Sequence, residues 1–275
     1  MYHPFYTTAI MKHIYLSLAI AALTATAAHA QRMQYVSAST PQLPMERIAT
    51  EQPVTLNRIL LAGYNSLCVP YTLSAEQVEA ASAGLQVERL AAINQEGSTL
   101  CLYFVECTNE GIEAGVPYLV YAPKTTTMHI RSTETMGMSA ELRTISMSDA
   151  RGNSISFGSS WESVKGDGRY GIPAQQDTEV LQSMLVRTSA DKTFLPTRCG
   201  IMWDTQAAGA TDIEIRHAKS LDAITAGIAS RSGNGLVDVT DVRGTTVRRG
   251  VAANGALNGL PRGIYVVGGV KIAVR

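Results

Sequence analysis

Four cysteines, Cys68, Cys101, Cys107 and Cys199, carry the most reactive side chains of this 275-residue chain. A thiol attacks a substrate only as its thiolate, which needs an electropositive, partly exposed setting. All four sit in apolar, strand-like runs, and that argues against a nucleophile. Two readings stay open. An even set of cysteines in an exported chain forms disulfides, or four small apolar side chains pack a core. If 99–108 is one straight strand, Cys101 and Cys107 stand about 20 Å apart and cannot bridge one another. Each would then need Cys68 or Cys199.

Other chemistry is sparse. Beyond residue 30 only His129 and His217 remain, neither with Cys, Asp or Glu at a metal-ligand spacing, so no metal and no cofactor is expected. Ser159-Ser160-Trp161-Glu162 lacks the G-x-S-x-G elbow of serine hydrolases. Two converging carboxylates would make a glycosidase-like site. The acids available for that are Glu106, Glu110, Glu113, Asp167 and Asp204. The loop 165–171, with Asp167 inside it, reads as a hairpin bend, since a calcium loop brings more oxygen ligands. Trp161, Tyr170 and Trp203 read as core aromatics, with a sugar-stacking surface as the alternative.

Short strands must position these groups. Hydrophobic content of 45% with 17% charge permits a packed core. Apolar runs of four to eight residues, broken by Gly, Pro and Asn, recur from Val54 to Ala218, and the expected fold is all-β, a β-sandwich with one or two short helices. Strands are expected over 54–61, 64–69, 87–92, 99–108 and 116–122. Further ones are expected over 126–132, 140–147, 154–161, 168–172, 193–202 and 212–218. In 99–108 both parities are apolar, which places that strand inside the sandwich. Ser74 with Gln77 forms a capping box for a helix near 75–85, and 178–187 reads as a second helix.

The ends of the chain are more distinctive. Lys12, an apolar run over 14–28 and Ala28-His29-Ala30 form an export signal over 1–30, with cleavage after Ala30. A polar leader follows over 31–53, and Gly- and Ser-rich 219–234 reads as a linker between the body, 54–218, and a tail, 235–275. The alternative makes the tail's last strands simply the final hairpin of the main domain. Gly268-Gly269 sets the hairpin register, facing Val267 with Val270 and Tyr265 with Ile272. Asp241 to Gly244 reads as a turn led by Asp and closed by Gly. Without the signal the chain has 22 basic and 23 acidic residues, a balance that argues against a nucleic-acid partner. No later run is long enough for a membrane helix.

These residues carry a resemblance. The stretches AGYNSLCVPYTLS, EGIEAGVPYLVYAP, FLPTRCGIMW and ITAGIAS resemble an exported β domain of the Bacteroidetes. The tail, VDVTDVRGTTV then LNGLPRGIYVVGGVKIAVR, is similar to the C-terminal sorting domain of the type IX secretion system. The resemblance implies that Asp241 and Gly244 form the family's turn. It also implies that Leu260, Pro261, Gly263 and Tyr265 lead into its penultimate strand, with the secretion machinery as partner. The last hairpin is more compact than the usual sorting domain and has few terminal lysines. The expected protein is exported, at the outer-membrane surface or extracellular, with the periplasm as alternative. It is expected to bind a glycan or protein, or to scaffold, rather than to catalyse. A secreted hydrolase or carbohydrate-active module is the alternative.

Overall fold

The computed structural model describes residues 34–49, 54–132, 136–173, 183–232 and 235–274. The export signal, the first half of the expected helix over 178–187 and the terminal Arg275 fall outside them. The fold is all-β. Among the described residues no helix is long and apolar enough to cross a membrane.

The described part of the leader, 34–49, carries a strand and a short helix. β1 (Gln34–Ser37) adds in parallel to β2 (Val54–Leu60), and the short α1 (Met45–Ala49) follows, with Leu43 and Ile48 buried. β3 (Gly63–Leu67) leads to α2 (Ala75–Ala81). Here the capping box forms as expected: the Ser74 hydroxyl accepts from Gln77 N, and the Gln77 side chain accepts from Ser74 N at 2.8 Å. Val78 and Ala81 give this helix its buried side.

β4 (Gln86–Glu96) and β5 (Thr99–Glu106) form a hairpin closed by Gly97-Ser98, with Gly97 at φ 61°. Strand was expected to stop at residue 92 and resume at 99, yet β4 runs on to Glu96. The strand continues because Gln95 is held from outside: its backbone N donates to Asp149 Oδ2, and its side chain accepts from Asn153 Nδ2 at 3.0 Å. With partners supplied, polar residues suited to a turn stay extended.

β6 (Tyr118–Ala122) pairs with β3 and β4, and β7 (Thr126–Arg131) pairs with β2. β8 (Ile145–Ser148), β9 (Ser154–Ser159) and the two-residue β10 (Val164–Lys165), β11 (Tyr170–Gly171), β12 (Val186–Arg187) and β13 (Thr193–Phe194) come next. Val186–Arg187 is therefore strand where the end of a helix was expected. β14 (Cys199–Thr205) completes a five-stranded sheet in the order β12-β11-β14-β9-β8. β15 (Asp212–Ala218) lies parallel to β5, from Asp212 opposite Thr99 to Ala218 opposite Val105.

The expected linker is helical. Leu221–Ser232 forms α3, with Ile224 and Thr225 buried and the Thr225 hydroxyl donating to Ala253 O at 2.7 Å. β16 (Leu236–Asp241), β17 (Thr246–Ala252), β18 (Gly263–Val267) and β19 (Val270–Val274) follow. The final hairpin has the register set by Gly268-Gly269, with Val267 opposite Val270 and Tyr265 opposite Ile272. Its outer strand does not end the sheet. β19 pairs with β4, Ile272 opposite Ala92, so tail and body share one nine-stranded sheet.

Among the described residues two cores lie on opposite faces of β4 and β5. Leu100, Leu102 and Phe104 face the larger one, where Phe104 meets Phe157 edge-on at 5.6 Å. Cys101, Tyr103 and Val105 face the smaller one, filled from the tail by Val239, Val267 and Ile272.

This shared core makes a prediction. Both tryptophans, Trp161 and Trp203, lie in the body, so their fluorescence reports body unfolding. Ile272→Ala, in the tail, is expected to cost about 2–5 kcal/mol and to lower the urea midpoint read by those tryptophans. A tail that folds apart from the body would leave that midpoint in place.

Candidate functional site

The structure sorts the cysteines differently from the sequence. All four are buried thiols. Cys68 and Cys199 come together at the seam of β3 and β14, where Cys68 N donates to Thr197 O and Cys199 N donates to the Ser66 hydroxyl, each at 2.9 Å. Burial pushes the Cys68 thiol up to about 12 and raises Cys199 as well. Cys101 lies in the other core, beside Glu214, where burial lifts it to about 11. Cys101 thus lies across β5 from Cys68 and Cys199, an arrangement that suits the reading of four packed thiols and gives a bridge from Cys101 neither partner. Cys107 follows the end of β5 and packs into the larger core.

His129 lies exposed beside Asn57. His217 is held at two points: Nδ1 sits 2.7 Å from Glu88 Oε2, and the ring stacks on Tyr64 at 3.9 Å. Tyr64 in turn donates to the other Glu88 oxygen at 3.2 Å. Glu88 is buried, and this pairing ties β3, β4 and β15 together. Among the described residues no group of three or more His, Cys, Asp or Glu is placed to hold a metal.

The carboxylates meet only in part. Glu110 and Glu113 line one cleft, and each is engaged by an arginine, Arg89 and Arg143 respectively. Neither sits in the apolar pocket in which a glycosidase holds its general acid. Glu106 pairs with Lys219, Asp204 accepts from Ser156, and Asp167 lies exposed in a bend where Arg169 N donates to Gly166 O. The three rings do not share a surface either. Trp161 is buried, with Nε1 donating to Ala140 O, while Tyr170 meets Trp203 edge-on at 6.3 Å.

The site that sequence reasoning missed is a cleft of about 510 Å³ between β3 and the segment from β11 to β13. Arg58 lies at its base. β2 alternates, and the inward positions hold Val54, Leu56, Arg58 and Leu60. A guanidinium thus takes a place that the pattern reserves for an aliphatic side chain. Arg58 is 5% exposed. It donates to Ile59 O at 2.5 Å and, weakly, to Ser66 O at 3.4 Å, and its Nε has no partner among the described residues. Burial, with Arg198 adding repulsion, presses its pKa down to about 10. Arg198, in the turn before β14, brings a second guanidinium to the same cleft, its pKa also lowered by burial. Among the described residues no carboxylate lines this space; Ile172, Val186 and Phe194 supply an apolar wall. The signal was present in the sequence, as an arginine on the inward parity of a strand.

The motif residues of the tail are all placed. Asp241 accepts from Arg243 N and Thr245 N, each at 2.9 Å, and Gly244 takes φ 84°, the Asp-led turn that was expected. Leu260 packs beside the smaller core, Pro261 and Gly263 are exposed, and buried Tyr265 donates its hydroxyl to Pro261 O at 2.9 Å.

Buried, high-pKa thiols react slowly. Cys68, Cys101 and Cys199 are expected to take up no iodoacetamide in the native protein at mildly alkaline pH, and one label each in denaturant, read by peptide mass spectrometry. Native labelling at Cys199 would mean that the seam of β3 and β14 opens. No protein-family model matches the chain, and neither the curated proteins nor the solved structures yield a match.

Proposed function

We propose that this chain is an exported β protein that binds or scaffolds at the cell surface, with its C-terminal strands read by secretion machinery for sorting or attachment. The observation that carries the reading is the presentation of the segment from Pro261 to Ile264. These four residues are exposed, while the segment is anchored on both sides by Leu260 and by the Tyr265 hydroxyl on Pro261 O. Recognition of an extended segment needs accessible side chains on a fixed backbone, and this one offers Arg262 and the apolar Ile264, 45% exposed. The export signal over 1–30 supplies the route out of the cytoplasm.

A test by truncation would mislead. Removing the tail uncovers Ala92, Tyr103 and Val105 of the smaller core, so lost display would follow from misfolding alone. The better probe is the double variant Arg262→Glu with Ile264→Ser, which alters only exposed side chains. In the producing cell this variant is expected to keep its unfolding midpoint and to accumulate inside the outer membrane by fractionation. Unchanged surface display would end the sorting role.

A further inference from the structure

We infer that the cleft under Arg58 is a binding site for a small organic oxyanion, a carboxylate or a sulfate or phosphate ester, with an apolar flank. This gives a ligand class to the binding role proposed above and rests on that reading, although it concerns the body and not the tail.

The first argument is charge. A guanidinium held at 5% exposure loses most of its hydration, a cost of several kcal/mol unless an opposite charge offsets it. The usual offset is a carboxylate in a forked pair. Arg58 has instead two backbone carbonyls, one of them at 3.4 Å, and an Nε without a partner among the described residues. Arg198 adds repulsion to it. Three cations line the cleft, Arg58, Arg198 and Lys192, of which only the exposed Lys192 has a carboxylate, Asp191, beside it. With no acid in the lining among the described residues, an arriving anion would relieve the other two.

The second argument is supply. Other arginines in this fold are given partners: Arg89 has Glu110, Arg143 has Glu113 and Arg216 has Glu214. Arg248 is held by the carbonyls of Gly255, Ala256 and Asn258. Of the two buried arginines, Arg89 is thus given a carboxylate, although its Nε too lacks a partner among the described residues, and Arg58 is not.

The third argument is shape. A volume of about 510 Å³ suits a small ligand. Phe194, Ile172 and Val186 stand on one side of it, opposite Tyr64 and Asn65 on β3. An inorganic ion would leave that wall unused, whereas an oxyanion joined to a ring or a short aliphatic group would meet both halves.

The test is a calorimetric titration of the purified protein at low salt with phenylacetate, phenyl phosphate and glucuronate, and with phenylacetamide as the neutral control. The first two arms vary the oxyanion, and the third asks whether an acidic sugar suffices. At least one anion is expected to bind at least ~10-fold more tightly than phenylacetamide, and added sodium chloride is expected to weaken it. Arg198→Gln, whose side chain lies at the surface, is expected to lose ~10-fold or more of that affinity. Arg58→Met is expected to abolish binding while leaving the thermal midpoint unchanged or higher, because an apolar side chain replaces an uncompensated charge. If Arg58→Met fails to fold, Arg198→Gln decides. Anions that bind no better than phenylacetamide, or variants that bind like the parent protein, would overturn the site. A failed display experiment with the Arg262 and Ile264 variant would leave this titration unaffected, so the two ideas fail separately.

Discussion

β5 is apolar on both faces, and covering both is the constraint from which the rest of the architecture follows. Leu100, Leu102 and Phe104 are fully buried on one side, while Cys101, Tyr103 and Val105 are buried on the other. Each large apolar side chain withdrawn from water contributes roughly 1.5–3 kcal/mol, so neither face can be left wet. The five-stranded sheet meets the first through Phe157. The second lies bare until α3 and the last four strands fold over it. The C-terminal strands thus serve as half of a core, whatever reads their exposed edge.

This explains what was legible in the sequence. Local rules hold where a segment needs only itself and its nearest neighbour. Gly268-Gly269 set the terminal hairpin to the residue, Asp241 and Gly244 formed their turn, and Ser74 with Gln77 capped the one helix that has a capping box. Doubled apolar parity in 99–108 placed that strand in the interior. Distant partners decided the rest. Asn94 to Gly97 would turn in isolation, but Asp149 and Asn153 hold Gln95 extended from more than fifty residues away. Residues 219–234 have a linker's composition, yet Thr225 and Asp222 bond to Ala253 and Gly255 of the tail and keep the segment helical.

The cleft left only a faint signal in the sequence, for another reason. Polar residues in a strand are ordinarily assigned to the wet face, and Arg58 is surrounded in sequence by residues that would suit either. Only the packing of β2 against the larger core fixes which parity points inward. Once fixed, the arginine stands out beside Leu56 and Leu60. The cysteines show the same limit: spacing separated Cys101 from Cys107, but only the sheet's two sides reveal that Cys68 and Cys199 are neighbours.

A nine-stranded sheet has ends as well as faces. β17 is its last strand, and among the described residues it pairs only with β16. Such a margin offers unpaired amides to any extended polymer that drifts past. Here the register with β16 slips twice, Gly250 turns to φ 56°, and Arg248 and Arg249 stand side by side. The kink spoils the template and the charge repels a copy of itself. This margin is thereby a poor seed for fibrils.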